Sequence, residues 1–215
     1  MQKISAALFD LDGTLADTLP LCIRAFRESV QPLINRTISD EEIIATFGPS
    51  EEGTIKALAP DHYEKGVADY LHFYKTLHGI CPRPFAGIKE LLKTLQERSI
   101  RIGMVTGKGR YSTAISLEQF GLSSFFEIIE TGVIHGPRKP EGIEMILHQW
   151  TAIPKEEVVY VGDGPSDIEA CRKVGIAVIA AAWAGTAEPE KLKELQPDEL
   201  FYTVSDFAGW IKERI

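Results

Sequence analysis

The sequence is poor in cysteine. Its 215 residues include only three, Cys22, Cys81 and Cys171, which are far apart in the chain. An odd number of widely spaced thiols provides neither a disulfide framework nor the paired spacing of a zinc site. We interpret them as buried structural thiols, which predicts a reduced, cytoplasmic setting.

Long apolar runs and an excess of positive charge are also missing. Lysine and arginine number 23 against 31 acidic residues, a formal net charge of −8. Nucleic acids and anionic membranes bind basic patches, so neither is expected as a partner. The apolar run at 4–9 is too short for a membrane span or a signal peptide. A small phosphorylated ligand remains compatible, because it needs only local positive charge.

The sequence does contain two carboxylates at the end of an apolar run near the N-terminus, in the segment FDLDGT. Residues 4–9 are typical of a strand buried on both faces, and side chains two apart on a strand point the same way. Asp10 and Asp12 should therefore project together, and Gly13 should end the strand. Two adjacent acids repel each other unless a cation or a proton is shared, and carboxylate oxygens suit Mg²⁺.

The remaining chain predicts an α/β protein with a helical insertion. Residues 16–80 read as helices only, including a capping box that begins at Ser39. From residue 87 apolar runs typical of strands alternate with amphipathic helices, which favours a parallel sheet with helices on both faces. We therefore expect a Rossmann-like core from residues 1–15 and 81–215, and an all-helical cap from residues 16–80. The length allows one such domain with an insertion.

Polar residues follow several predicted strands, where open α/β sheets bind their ligands. Thr106 and Gly107 follow the second strand and offer a hydroxyl and an N–H to a phosphate oxygen. Lys139 follows the third strand, ahead of a helix, and can neutralise phosphoryl charge; Lys108 and Arg138 are alternatives for that role. Acidic side chains follow the fourth strand at Asp163 and Asp167.

These four segments together resemble the motifs of the haloacid dehalogenase-like superfamily of phosphohydrolases. FDLDGT is similar to motif I, Thr106 to the motif II Thr or Ser, and Lys139-Pro140 to motif III. The GDxxxD pattern of Asp163 and Asp167 is similar to motif IV. Arg138 departs from the glycine that commonly precedes the motif III lysine. The likeness extends over the whole chain, and residues 16–80 look like the family's small helical cap.

The resemblance implies a role for each position. Asp10 would be the nucleophile that forms an aspartyl-phosphate, and Asp12 the general acid and base. Thr106, Gly107 and Lys139 would bind the phosphoryl group. Mg²⁺ would be held by Asp10, the backbone carbonyl of Asp12, Asp163 and Asp167.

Particular residues favour one branch of the family. Dehalogenases and phosphonatases of the superfamily lack the second motif I acid, which is Asp12 here, and no histidine follows motif I as in hexose-phosphate mutases. The closest likeness is to the phosphoglycolate phosphatase-like group, acting on a small phosphorylated metabolite as a monomer or homodimer. Residues 48–52 also resemble the cap of related pyrophosphatases.

Other functions stay open. An inorganic pyrophosphatase or a sugar-phosphate phosphatase or mutase would have the same fold. A catalytically silent regulator that binds a phosphorylated ligand belongs to a different class. Retention of Asp10, Asp12, Lys139 and Asp163 favours an enzyme.

Overall fold

A computed structural model describes residues 3–215, so the first two residues of the predicted core range 1–15 lie outside it. The chain forms one six-stranded sheet in which every strand pair is parallel. The strands, β1 to β6 in chain order, are Ala6–Phe9, Arg101–Val105, Ile128–Glu130, Val158–Gly162, Ala177–Ala181 and Glu199–Phe201.

The sheet order is β3-β2-β1-β4-β5-β6, so β1 lies in the middle between β2 and β4. Alternate residues of β1 enter two separate apolar cores: Ala7 and Phe9 join one, and Ala6 and Leu8 join the other. A strand buried on both faces reads as a continuous apolar run, as this one does. The predicted Rossmann-like sheet with helices on both faces is confirmed.

Ten α-helices accompany the strands in residues 3–215. In chain order, α1 to α10 are Leu19–Ile34, Asp40–Ile44, Glu51–Leu58, Tyr63–Thr76, Ile88–Glu97, Arg110–Phe120, Lys139–Gln149, Pro165–Val174, Pro189–Glu194 and Val204–Lys212. We call α1 to α4 the inserted helices, because they lie in the chain between β1 and β2. No helix in this part of the chain has the length and apolar character needed to cross a membrane.

The inserted helices connect to the sheet through two segments that touch each other. The outgoing segment passes Leu15 directly after the β1 loop, and the returning segment passes Phe85. The Phe85 N–H donates a hydrogen bond to the Leu15 carbonyl at 2.9 Å. The two connections of the inserted helices therefore meet beside the end of β1.

Local signals in the sequence are mostly confirmed. Ser39 and Glu42 form the predicted capping box, each side chain accepting from the other's backbone N–H. The apolar run at 125–130 predicts the third strand, but β3 begins only at Ile128, because Ser123–Phe125 forms a 3₁₀ turn. Helix α9 was not predicted; it is a single short helix of six residues.

Two glycines provide a test of packing. A Cβ on Gly103, in β2, would lie 2.7 Å from Leu8 Cδ2 and 3.0 Å from the Trp150 ring. Gly103→Ala should therefore lower the free energy of unfolding by about 1–3 kcal/mol through overpacking. Gly209 in α10 has open space around it, so Gly209→Ala should raise stability by about 0.5–1 kcal/mol through helix propensity. Urea unfolding measures both, and equal effects would contradict the packing described.

Candidate active site

Asp10 and Asp163 meet because the strands that they follow, β1 and β4, are neighbours in the sheet. β1 and β4 pair in parallel with Phe9 opposite Val161, and the Asp10 N–H donates to the Val161 carbonyl at 2.9 Å. Asp10 and Asp163 therefore leave the sheet at the same edge. Gly13 permits the close approach: its φ is +75°, and a Cβ there would lie 2.0 Å from Asp163 Oδ2.

Asp10, Asp163 and Asp167 form an acidic triad. Carboxylate oxygens, one from each, lie within 4.8 Å of one another. Asp10 and Asp167 are buried. Lys139, the first residue of α7, places its Nζ 2.6 Å from Asp10 Oδ2 and 2.5 Å from Asp167 Oδ1. One ammonium group thus joins two acids from different elements.

Asp167 is further fixed by neutral donors. Its Oδ2 accepts from the Gly164 N–H at 2.9 Å, within the first turn of α8. Its Oδ1 lies 2.8 Å from the Tyr160 hydroxyl, which also lies 2.8 Å from the Val105 carbonyl. These contacts fix the orientation of the Asp167 carboxylate beside the other two acids of the triad.

The electrostatics of the triad favour a bound cation. Burial and the negative charges of Asp10 and Asp167 raise the pKa of Asp163 well above its ordinary value. Burial likewise raises the pKa of Asp167, against the attraction of Lys139. Burial opposes the charge of Lys139, but the two acids outweigh it and raise the Lys139 pKa. The three converging carboxylates offer hard oxygen donors of the kind that Mg²⁺ prefers.

Asp12 lies in a different environment from the triad. Its Oδ1 accepts a hydrogen bond from the Thr18 hydroxyl, and both of its carboxylate oxygens lie 3.3 Å from Lys108 Nζ. Burial raises the pKa of Asp12, although the charge of Lys108 and the Thr18 hydrogen bond oppose the rise. The Asp12 side chain is not part of the triad, so only its backbone carbonyl is left for the predicted metal role.

A cavity of about 620 Å³ brings the predicted phosphate-binding residues to the acids. Thr106 is buried, and its Oγ1 accepts from the Lys108 N–H at 3.3 Å. The core contributes Asp10, Asp12, Thr106, Gly107 and Lys139 to the lining, and the inserted helices and their loops contribute Cys22, Phe26, Phe47, Glu51, Thr54 and Tyr70.

The three candidate cations have separate partners. Lys139 contacts the triad, and Lys108 contacts Asp12. Arg138 lines the cavity, but its Nη2 is 3.4 Å from Glu130 and 2.9 Å from the Met145 sulfur. Of the three, the structure therefore places only Lys139 against Asp10.

Sequence reasoning missed several residues of the site. Thr18 is a hydrogen-bond partner of Asp12, Tyr160 one of Asp167, and Glu51 contacts Lys108 across the cavity. Tyr160 is the one hydroxyl within the apolar run of β4, a signal that was available. Thr18 looks like an ordinary residue at the start of a helix. Glu51 lies in the segment 48–52 that resembles the cap of related pyrophosphatases, but the sequence gives no sign that it contacts Lys108.

With this geometry described, comparison with known proteins identifies the family. The model of the haloacid dehalogenase-like hydrolases matches residues 7–181. The chain therefore belongs to that family, which agrees with the resemblance of its four motifs, and it is a phosphohydrolase of the phosphatase type.

Its similarity to individual proteins extends over nearly the whole chain. It is 32% identical to the pyrophosphatase PpaX of Listeria welshimeri over 214 residues, 98% of each chain. A haloacid dehalogenase-like family hydrolase from Streptococcus pneumoniae superposes with a TM-score of 0.76 at 26% identity, covering 96% of this chain and 98% of that one. A predicted phosphoglycolate phosphatase from Haemophilus somnus gives 0.79 at 19% identity, covering 96% and 97%, which shows the shared fold.

The ion pairs of Lys139 can be tested through stability. Lys139→Met would leave Asp10 and Asp167 buried without their cation, so in metal-free buffer the free energy of unfolding should fall by about 3 kcal/mol. The raised pKa of Lys139 keeps its ammonium charged through the neutral and mildly alkaline range. Burial already raises the pKa of Asp167, and removal of the Lys139 charge would raise it further, so the loss should grow as the pH rises from about 7 to about 9.

Lys173→Met is the matched control. Lys173 is exposed and lies 3.8 Å from Glu141, and surface pairs of this kind contribute about 0–1 kcal/mol. Chemical denaturation with a chelator present measures both variants. A loss no larger for Lys139→Met than for Lys173→Met would contradict the buried ion pairs described here.

Proposed function

We propose that the protein is a Mg²⁺-dependent phosphatase that hydrolyses a small phosphorylated metabolite through an aspartyl-phosphate on Asp10. The observation that supports this best is the convergence in one cavity of a buried carboxylate, Asp10, with the cation Lys139 and the hydroxyl of Thr106. A nucleophile for an anionic phosphoryl group needs such compensation, because like charges repel.

Mg²⁺ fits the acidic triad by donor type and by charge. Asp10, Asp163, Asp167 and the backbone carbonyl of Asp12 would hold it. When bound, the ion would neutralise charge shared between the Asp10 carboxylate and the phosphoryl oxygens. The raised pKa of Asp163 supports this assignment, because that side chain lacks a close cation of its own.

The protein's own residues supply the steps. An oxygen of Asp10 forms a bond to phosphorus as the bond to the leaving oxygen breaks. Thr106, the Gly107 N–H and Lys139 stabilise the phosphoryl oxygens. Asp12 gives its proton to the leaving oxygen, then as carboxylate takes a proton from the water that attacks phosphorus and releases Asp10. The raised pKa of Asp12 favours the protonated form that the first step requires.

We also propose a division into two domains. Residues 1–15 and 81–215 would form the catalytic core, and residues 16–80 a cap that closes over the cavity. The lining supports this division, since the core supplies the chemical groups while Phe26, Phe47 and Tyr70 come from the segment 16–80. Closure would limit access of water and allow the cap to contact the leaving group.

Two substrate classes have specific support. The phosphoglycolate phosphatase-like pattern of motifs favours a small phosphomonoester. The name of the Listeria relative, a pyrophosphatase, favours inorganic pyrophosphate as the second candidate. Rates of phosphate release from phosphoglycolate, pyrophosphate and a panel of sugar phosphates separate these classes, and isomer formation without phosphate release would indicate a mutase.

The proposal includes a cytoplasmic setting. All three cysteines are buried and free, as expected of structural thiols in a reducing compartment. The absence of nucleic-acid and membrane partners, and a monomeric or homodimeric state, stay predictions.

Asp10→Asn tests the enzyme against a silent phosphate binder. The amide keeps the shape of the side chain but cannot act as the nucleophile, so hydrolysis of p-nitrophenyl phosphate with Mg²⁺ should fall at least about a thousandfold. Asp40→Asn, on an exposed part of the inserted helices, should retain full activity. Binding of phosphate without turnover by the wild type would instead indicate a regulator.

Asp163→Asn tests the metal. Removal of one carboxylate from the triad should raise the Mg²⁺ concentration for half-maximal activity about 10–100-fold. A chelator should abolish wild-type activity, and added Mg²⁺ should restore it. Calorimetric titration of Mg²⁺ into both proteins gives a second readout, and identical affinities would exclude Asp163 as a ligand.

A further inference from the structure

Lys108 is a buried cation that the reaction steps above leave without a role. Its side chain is 1% exposed, and its Nζ lies 3.3 Å from both carboxylate oxygens of Asp12. The same atom lies 3.4 Å from Glu51 Oε1, 3.2 Å from Cys22 Sγ and 4.5 Å from the centre of the Tyr74 ring. Every group around the ammonium is an acceptor or an aromatic face, so Lys108 is held in one position.

Glu51 fixes this position from the inserted helices. It is the first residue of α3, yet its Oε2 accepts from the Gly109 N–H at 2.5 Å and its Oε1 from the Ser112 hydroxyl. Both donors belong to the start of α6 in the core. The contacts Glu51–Lys108–Asp12 thus form a continuous path from the inserted helices to Asp12.

We propose that Lys108 is a positioning residue for Asp12, and that Glu51 holds Lys108 in place when the inserted helices are packed as in this structure. This inference rests on the acid–base role proposed for Asp12. It assigns the two lysines different functions: Lys139 acts on the phosphoryl group with Asp10, and Lys108 acts on the leaving group through Asp12.

The expected function of Lys108 follows from the transfer of the Asp12 proton to the leaving group. As the phosphorus–oxygen bond breaks, its electron pair goes to the leaving oxygen, which receives the Asp12 proton. Asp12 is left as a carboxylate inside the cavity. Lys108 contacts both of its oxygens, so it holds the Asp12 side chain in one orientation beforehand and stabilises the carboxylate afterwards.

This role should depend on the leaving group. p-Nitrophenolate is a stable anion that departs with little need of a proton. Phenolate, whose conjugate acid has a pKa of about 10 like the tyrosine side chain, needs protonation much more. The two aryl phosphates differ by one nitro group, and both reactions pass through the same phosphorylated Asp10.

The experiment compares kcat/KM for phenyl phosphate and p-nitrophenyl phosphate in wild type and Lys108→Met, with Mg²⁺ present. Positioned acid catalysis contributes about 10²–10⁴-fold. We expect Lys108→Met to lose about a hundredfold with phenyl phosphate and less than about fivefold with p-nitrophenyl phosphate. Lys93→Met is the control, because Lys93 is exposed and pairs only with Glu97 at 3.7 Å; both of its rates should equal those of wild type.

Glu51→Gln provides a second variant of the same size. It removes the charge that holds Lys108 but keeps an acceptor for the Gly109 N–H. It should therefore lower kcat/KM for phenyl phosphate more than for p-nitrophenyl phosphate, as Lys108→Met does, but by a smaller factor, about tenfold for phenyl phosphate. If Lys108→Met shows no cooperative unfolding transition, this variant decides. Equal losses for both substrates, or no loss, would overturn the inference, since a structural role lowers both rates alike.

Failure of the underlying function has a different signature. If wild type hydrolyses neither ester, or if Asp10→Asn remains active, the phosphatase mechanism itself is wrong. If wild type is active, Asp10→Asn is inactive and Lys108→Met shows no leaving-group preference, the mechanism stands and only the role of Lys108 is refuted.

Discussion

The contact of one ammonium group with two buried carboxylates is the constraint on which the site depends. Asp10 and Asp167 are brought together by a sheet in which β4 lies directly beside β1. Without Lys139 between them, two buried negative charges would repel each other with no cation to compensate them. The sheet order therefore brings two buried negative charges together. Lys139, at the start of α7, supplies the positive charge that compensates them.

A second consequence is that the site contains two separate electrostatic environments. Lys139 compensates the acids of the triad at the sheet edge. Lys108 compensates Asp12 and Glu51, on the side that faces the inserted helices. Asp10 and Asp12 are two residues apart in the sequence, yet each has its own cation. This separation would allow the two carboxylates to take different parts in the proposed reaction.

The sequence was sufficient to locate the ends of the strands, and so the positions of Asp10, Thr106 and Asp163. Parallel strands buried on both faces produce continuous apolar runs, and the polar residue that follows each run lies at the binding edge. The sequence could not distinguish the environment of Lys108 from that of Lys139, because both residues follow strands. Only the distances from each ammonium group to Asp10 and Asp12 distinguish the two lysines. The contact of Glu51 with α6 joins residues far apart in the chain, so no local pattern encodes it.

The hydrogen bond between Phe85 and Leu15 has a mechanical consequence. It ties the outgoing and returning segments into one pivot, next to a loop in which the Gly13 N–H donates to the Ala16 carbonyl at 2.9 Å. Any rotation of the inserted helices about this pivot would act first on the loop that carries Asp12. Asp10 is anchored through its backbone to β4 and would stay still. The orientation of the inserted helices would thus set the direction of the Asp12 side chain while leaving Asp10 in place.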